Sequence, residues 1–289
     1  MKVDFHCHTT ASDGALTPEQ LIDLAVQHEV KCLAITDHDT TAGYESVVEY
    51  AQQHNVQLIS GVEISCEWRG STIHIVGLDV DVNHLGLQQG LEGIRTSRWE
   101  RAHQIMAKLE ARHDFNVENI RSKIEQVVGE GVVGRGHFAQ LLIEEHLVKD
   151  ASQAFDRYLK KGRVGYVKHH WPPLAEVVQW INQAGGVAVI AHPKVYNMTS
   201  RKLNALITDF KQAGGQAIEV VNQPRHSADI TGMADRANVQ GLAASLGSDF
   251  HRPEHHWRGL GWLAPLPSKV TPVWTLFKTK VVFEPLETS

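Results

Sequence analysis

Two histidines one residue apart, His6 and His8, follow the strand-like lead-in Val3-Asp4-Phe5 and run at once into a turn that carries Asp13. Side chains along a strand repeat every second residue, so both imidazoles point to the same side. Two imidazoles and a carboxylate brought to one place are donors for a transition-metal or similar divalent ion. A single His-x-His pair occurs in cores and on surfaces as well, but here such groups recur. VKCLAIT delivers Asp37-His38-Asp39, and VQLIS leads to Gly61-Val62-Glu63. TIHIVGL carries His74, GVAVIA ends in His192-Pro193, and LAASL precedes Gly247-Ser248-Asp249-Phe250-His251. Capping and core roles explain one such coincidence and not the set.

The elements that must position these groups are legible around them. Thr17-Pro18-Glu19-Gln20 is an N-cap, a proline at the first helical position and a capping-box glutamine, opening a helix to about His28. Val30 to Thr36 is a buried strand, and a second helix is expected from Tyr44 to His54. Thr72 to Leu78, Gly186 to Ala191 and Leu242 to Leu246 are further strands. Short strands alternating with helices predict a parallel α/β fold, whose chemistry sits at the C-terminal strand ends.

From about Ser97 to Lys168 the strand rhythm stops. Helical patterns cover Trp99 to His113, Asn116 to Val128 and His137 to Leu147. The expected organisation is a catalytic α/β domain made of 1–96 and 169–289, with 97–168 inserted as a helical cap. Within the insertion, VVGRGHFAQLL puts Arg135 and His137 at a glycine-rich helix start. Free backbone N–H groups, the helix dipole and a guanidinium favour an anion there. Arg95, Arg98 and Arg101 at helical spacing either line the cap or, as the better expectation, stand on a solvated face. Lys160, Lys161 and Arg163 read equally as a solvated basic turn or as charge beside Tyr166.

Composition narrows the class. With 289 residues and 42% hydrophobic content the chain can bury a substantial core. No run is long and apolar enough to cross a bilayer, and the chain goes straight into its first strand, so a cytoplasmic location is expected. Cys7, Cys32 and Cys66 lack zinc-finger or redox spacing, which argues against a disulfide framework. A net charge of −5 argues against coating long duplex nucleic acid by bulk charge, and leaves a nucleotide or short oligonucleotide at a local site.

The strings HCHTTASDG, TDHDT, GVEIS, IHIVG, AHP and GSDFH, in this order, resemble the PHP (polymerase and histidinol phosphatase) superfamily. The Asp of SDG, TDHDTTAG, GRGHFA and KKGRVGYV are similar to the stand-alone bacterial branch containing 3′,5′-nucleoside bisphosphate phosphatases and 5′-to-3′ exoribonucleases. The superfamily resemblance covers nearly the whole chain except the middle and implies a distorted seven-stranded (β/α) barrel holding three metal ions. It implies His6, His8, Glu63 and Asp249 around the first ion and Asp13, His38 and His251 around the second. Glu63 would bridge to a third held also by His74 and His192. Asp13, His38, Glu63, Asp249 and His251 are the expected catalytic residues. Imidazole and carboxylate donors suit Mn²⁺, Fe²⁺ or Zn²⁺. Asp13 stands where other branches carry His, which hardens the second site and favours Mn²⁺.

Cys7 should face away from the ligands as a small packed hydrophobe, and Asp4, Asp37 and Asp39 stay outside the ligand set. Lys194 follows AHP where the family carries a Gly-Arg pair, so its phosphate contact differs from the family pattern. Clustered divalent ions imply phosphate-ester hydrolysis by metal-activated water. Ser248 lacks the setting of a nucleophile. The implied activity is removal of the 3′-phosphate from nucleoside 3′,5′-bisphosphates, and 5′-to-3′ cutting of short 5′-phosphorylated RNA. Arg135 and His137 would hold the 5′-phosphate. The competing readings are a histidinol-phosphate phosphatase, a proofreading-type exonuclease acting from the 3′ end, and a non-catalytic binding module of the same fold.

Overall fold

The computed structural model describes residues 2–112, 119–129, 131–254 and 258–282. It divides into two units, Met1–Leu91 with Trp171–Ser289, and Glu92–His170. The helical pattern expected over 97–168 lies inside the second unit.

Along the chain come β1 (Lys2–Cys7), α1 (Pro18–Gln27), β2 (Val30–Ile35), α2 (Ala42–Glu45), α3 (Val48–Gln53), β3 (Gln57–Trp68) and β4 (Ser71–Leu78). Then follow α4 (Leu85–Glu110), α5 (Ile120–Val128), α6 (Arg135–Glu144), α7 (Ala151–Ala154) and a π-wound turn over Phe155–Leu159. The chain continues through α8 (Leu174–Gln183), β5 (Val187–Ile190), α9 (Ser200–Gln212), β6 (Ala217–Val221), α10 (Ala228–Gln240) and β7 (Ala243–Leu246).

The first unit is an α/β structure around a seven-stranded sheet in the order β1 to β7. Its start matches the sequence reading: the Thr17 hydroxyl accepts from Gln20 N–H, and the Gln20 side chain accepts from Thr17 N–H at 2.9 Å. The helix expected over Tyr44 to His54 is two short ones, interrupted at Val47, which is buried with a non-helical φ of −127°.

A larger difference from the parallel fold lies at β4, which runs antiparallel to both β3 and β5. Trp68 pairs with Ser71, and the two residues between them, Arg69 and Gly70, have φ of 47° and 75°. Positive φ at both central positions makes this the tight hairpin turn whose twist suits antiparallel strands. Strand β3 therefore continues to Trp68 instead of stopping at Ser60. The other neighbouring pairs are parallel. Past β7 the chain returns to β1: Asp249 N–H donates to His6 O at 2.8 Å and His8 N–H to Phe250 O at 2.9 Å.

Cys7, Leu21, Ile22, Leu33, Ile35 and Phe250 form part of a core under β1 and β2. The Cys7 thiol donates to Ala34 O at 3.2 Å, as a packed side chain turned from its two histidine neighbours. Among the described residues, the tail after Gly259 supplies a 3₁₀ turn at Val273–Leu276 and a bridge from Pro272 to Ala244. Trp274 and Phe277 of this tail pack on Phe5.

The second unit has its own apolar core, including Ile105, Leu109, Ile124, Phe138, Leu142 and Leu159. The helix expected over Trp99 to His113 is the later part of α4, with His113 outside the described residues. The one expected from Asn116 is described from Ile120 onward, and that expected from His137 starts two residues earlier at Arg135.

Candidate metal centre

The end of β1 aims His6 and His8 to one side, and both are fully buried. The following turn brings Asp13 back over them. Gly14 is required there, because a Cβ at that position would lie 2.4 Å from His8 O. Asp37 fastens this turn by accepting from Thr9 N–H at 2.7 Å, Thr9 Oγ1 at 2.7 Å and Ser12 Oγ at 2.6 Å.

Glu63 lies within β3 and not at a strand end. The loop carrying His38 is bonded onto it, with Asp39 N–H donating to Glu63 O at 2.8 Å and Glu63 N–H to Asp37 O at 3.2 Å. Asp39 in turn accepts from Ser65 N–H at 2.8 Å. Glu63 pairs with Val76 across the hairpin, so His74, two residues along, is its diagonal neighbour on the same face. Their side chains meet at 3.0 Å, Nδ1 to Oε1. The loop after β5 adds His192 Nε2, 2.9 Å from the same oxygen. The segment after β7 adds Asp249 and His251. Asp39, His192 and Asp249 have φ of 53°, 29° and 54°, conformations L-residues rarely adopt and which concentrate at functional sites.

The nine side chains singled out in the sequence therefore converge within the first unit. Among the described residues, four groups have donor atoms that lie within 4.8 Å of one another inside the group: His8, Asp13, His38 and His251; His6, Glu63 and His192; His6, His8 and Asp249; and His38, Glu63 and His74. The spacings fit cations. His6 Nε2 is 3.2 Å from His8 Nε2, 3.4 Å from Glu63 Oε1 and 3.6 Å from Asp249 Oδ1. His8 Nε2 is 3.3 Å from Glu63 Oε2, and His251 Nε2 is 3.3 Å from Asp13 Oδ1. Ligands about 2.1 Å from a common ion sit about 3.0 to 3.5 Å apart in octahedral or tetrahedral arrangement.

Several donors are also left unsatisfied by the protein. Asp13 Oδ1, His38 Nδ1 and Glu63 Oε2 are buried and make no hydrogen bond, although the last two face each other at 2.9 Å. Buried polar atoms without partners call for an ion or water. The donor set fits divalent metal binding.

The field inside the cluster is steep. Burial works against ionising Glu63 and Asp13, yet the surrounding imidazoles hold both well below the usual carboxylate range. Burial also opposes a charge on His8, but Asp249 and Glu63 lift it to about 10. His6 is raised well above its ordinary value by Glu219 and Glu63 against the same desolvation, whereas burial lowers His74. Exposure is graded: His6, His8 and Glu63 side chains are at 0%, and His251, His74 and Asp13 at 21, 25 and 31%. The accessible edge of the cluster is the side on which Asp13, His74 and His251 stand.

Two partners of this cluster were missed in the sequence. Glu219 on β6 accepts from His6 Nδ1–H at 2.6 Å and from His192 N–H at 2.5 Å. Arg258 pairs with Asp249 Oδ2. The first sits in AIEVV, where an acidic residue among apolar neighbours was the available signal. The second follows the SDFH string without a motif of its own. Asp4 bonds His6, Ser248 and Gly261 N–H groups, tying together segments far apart in sequence.

In the second unit Arg135 is the first residue of α6, with its guanidinium 5.5 Å from the Phe155 ring centre. His137 is buried, and its Nδ1 accepts from Gly134 N–H at 3.0 Å, capping the helix. Arg98 and Arg101, expected on a solvated face, instead line a pocket with Arg135, Gly134 and Phe138. Burial, then Arg135 and Arg98, lower Arg101 to about 10. Lys194, in the first unit, forms an exposed ion pair with Asp229 at 2.6 Å.

Among known proteins, a model of the PHP domain matches residues 4–167. The 3′,5′-nucleoside bisphosphate phosphatase of Chromobacterium violaceum is 39% identical over 280 residues, covering 97% of this chain and 98% of that protein. The 5′-3′ exoribonuclease of Haemophilus influenzae is 39% identical over 276 residues, covering 96% and 99%. A solved structure of an amidohydrolase from Chromobacterium violaceum, with bound sulfate and no metal, superposes with a TM-score of 0.86 at 40% identity over 95% of each chain. With the domain match spanning more than half its length and relatives alike from end to end, the chain belongs to the PHP domain family.

Proposed function

We propose that this protein is a metal-dependent phosphoesterase that removes the 3′-phosphate from nucleoside 3′,5′-bisphosphates and cuts short 5′-phosphorylated RNA from its 5′ end. The observation that carries the reading is the convergence of nine imidazole and carboxylate side chains in a chain whose full-length relatives bear these two activities by name. The two activities need one geometry, because the 3′-phosphate of a bisphosphate occupies the place of the first linkage of an RNA.

His6, His8, Glu63 and Asp249 would hold one ion, Asp13, His38 and His251 a second, and His74 and His192 with Glu63 a third, with Mn²⁺ preferred over Fe²⁺ or Zn²⁺. Such ions supply Lewis-acid polarisation of phosphoryl oxygens and a lowered pKa for water. The chain's own part is orientation and charge. Glu63, with no exposure, presents one carboxylate oxygen toward His74 and His192 and the other toward His8 and His38. Asp13 and His251 stand at the accessible edge, where a phosphate ester and the attacking water arrive. Among the described residues, Ser248 is buried and bonded to Asp4 and His6 O, an unsuitable setting for a nucleophile.

The Arg98, Arg101 and Arg135 pocket is assigned to the 5′-phosphate, with His137 fixing the helix start on which Arg135 stands. Three guanidiniums drawn together, with Arg101 and Arg135 desolvated by burial, suit a dianion.

The test is phosphate release from adenosine 3′,5′-bisphosphate with Mn²⁺, following the product by chromatography. Conversion to adenosine 5′-monophosphate is expected. No release by metal-loaded protein, together with turnover of histidinol phosphate, would sink the nucleotide assignment and leave the phosphoesterase class.

A further inference from the structure

Glu219 belongs to none of the four donor groups, yet it is 3% exposed and touches two residues that do. Its Oε1 accepts the His6 Nδ1 proton at 2.6 Å, and its Oε2 accepts the main-chain N–H of His192 at 2.5 Å. The other buried carboxylates around the cluster behave differently. Asp4, Asp37 and Asp39 bond backbone N–H groups and hydroxyls. The close approach of Glu219 to His6 also uses Gly247, where a Cβ would lie 2.2 Å from His6 Cβ and 3.0 Å from Glu219 Oε1.

We propose that Glu219 is a positioning residue of the metal centre: one carboxylate holds His6 as the Nδ1–H tautomer, with its Nε2 lone pair aimed into the cluster, and pins the left-handed backbone of His192. The inference rests on the metal-binding reading above. An imidazole with its proton on Nδ1 keeps Nε2 free, and Nε2 is the atom facing His8, Glu63 and Asp249. His192 has φ of 29°, a conformation that needs an outside hold, and its N–H is bonded to the same carboxylate. Ring orientation on β1 and loop geometry after β5 are thus set by one side chain on β6.

The amide of Glu219→Gln has nearly the same shape but only one acceptor oxygen for two N–H groups. The main-chain N–H of His192 cannot move its proton, whereas the His6 ring can. The oxygen therefore goes to His192, the amide NH₂ faces His6, and the His6 proton shifts to Nε2, which removes the lone pair from the cluster.

The experiment uses metal-free full-length protein, with the ring spectra taken on the alkaline side of the raised His6 titration so that the neutral ring is read. Long-range ¹H–¹⁵N spectra of the histidine rings report the His6 tautomer, and competition with a chromogenic chelator reports Mn²⁺ affinity. Wild type should show Nδ1–H at His6. Glu219→Gln should show Nε2–H and bind Mn²⁺ about 10- to 100-fold more weakly at one site or more. A variant with wild-type tautomer and affinity, even one with a lowered melting temperature, would overturn the inference and leave the metal centre standing. Wild type that takes up no divalent ion would overturn both. If Glu219→Gln does not fold, Glu219→Asp keeps the charge but cannot reach both N–H groups, and is held to the same criterion of at least about tenfold.

Discussion

The two units of this molecule present charge in opposite ways. In the sheet unit, histidines and carboxylates are interleaved, so that each imidazole has a carboxylate oxygen within 4.0 Å. In the helical unit, Arg98, Arg101 and Arg135 line one pocket. The first arrangement gathers donors that suit a cation. The second gathers guanidiniums, and burial, with Arg135 and Arg98, lowers Arg101 to about 10. The contrast is between donors that suit a cation and guanidiniums that suit an anion.

The largest effect should come from breaking the first arrangement. Glu63→Gln removes a charge that faces five imidazoles, and should abolish phosphate release, by about a thousandfold or more, while lowering bound metal per chain. Metal content by atomic emission beside the rate decides it. Full activity at full metal content would contradict the assignment.

Next comes Arg135→Ala. Loss of a charge-assisted contact of about 1.5 to 3 kcal/mol should raise KM about 10- to 100-fold for substrates with a 5′-phosphate. Substrates lacking that group should be unaffected. An equal loss on both would erase the distinction drawn between the two units.

The interleaved charges also predict a pH dependence of the metal-free protein. His8 is raised from 6.5 to about 10, and His6 and His192 are raised as well. A folded-state pKa above the unfolded one gives stability that is fully present below about 6.5 and is lost as pH rises toward about 10. Metal must displace those same protons, so affinity should rise over the same interval. Melting curves of chelator-treated protein from pH 6 to pH 10 should fall, and those of Mn²⁺-loaded protein should not. A flat metal-free profile would show that the imidazoles are neutral before metal arrives.

The smallest expected change is at the hairpin. Gly70 has φ of 75° and open space around its Cα, so Gly70→Ala should cost about 1 kcal/mol through backbone conformation alone. Chemical denaturation should resolve that cost with metal affinity unchanged.

How much of this was readable from the sequence follows from distance along the chain. His6 with His8, and Asp249 with His251, are pairs whose spacing carries the geometry, so they stood out. The β3–β4 hairpin was passed over because Arg69-Gly70 is a less telling turn signal than Asn-Gly or Asp-Gly, and the parallel reading ran on through it. Arg98 and Arg101 look solvated by their spacing alone. The residue that reclassifies them is Arg135, and the pattern within one helix does not contain it. Glu219 was hidden for the same reason: its partners are 213 and 27 residues away.

The bonds that join Asp249 and Phe250 to His6 and His8 have a further consequence. His6 and His8 are completed by donors that lie some 240 residues further along the chain. Loop closure over that span comes late in folding because its entropy must be overcome before the contacts form. A chain synthesised only through β6 carries His6 and His8 but lacks Asp249 and His251. The nine-residue donor set is therefore complete only once synthesis has passed His251.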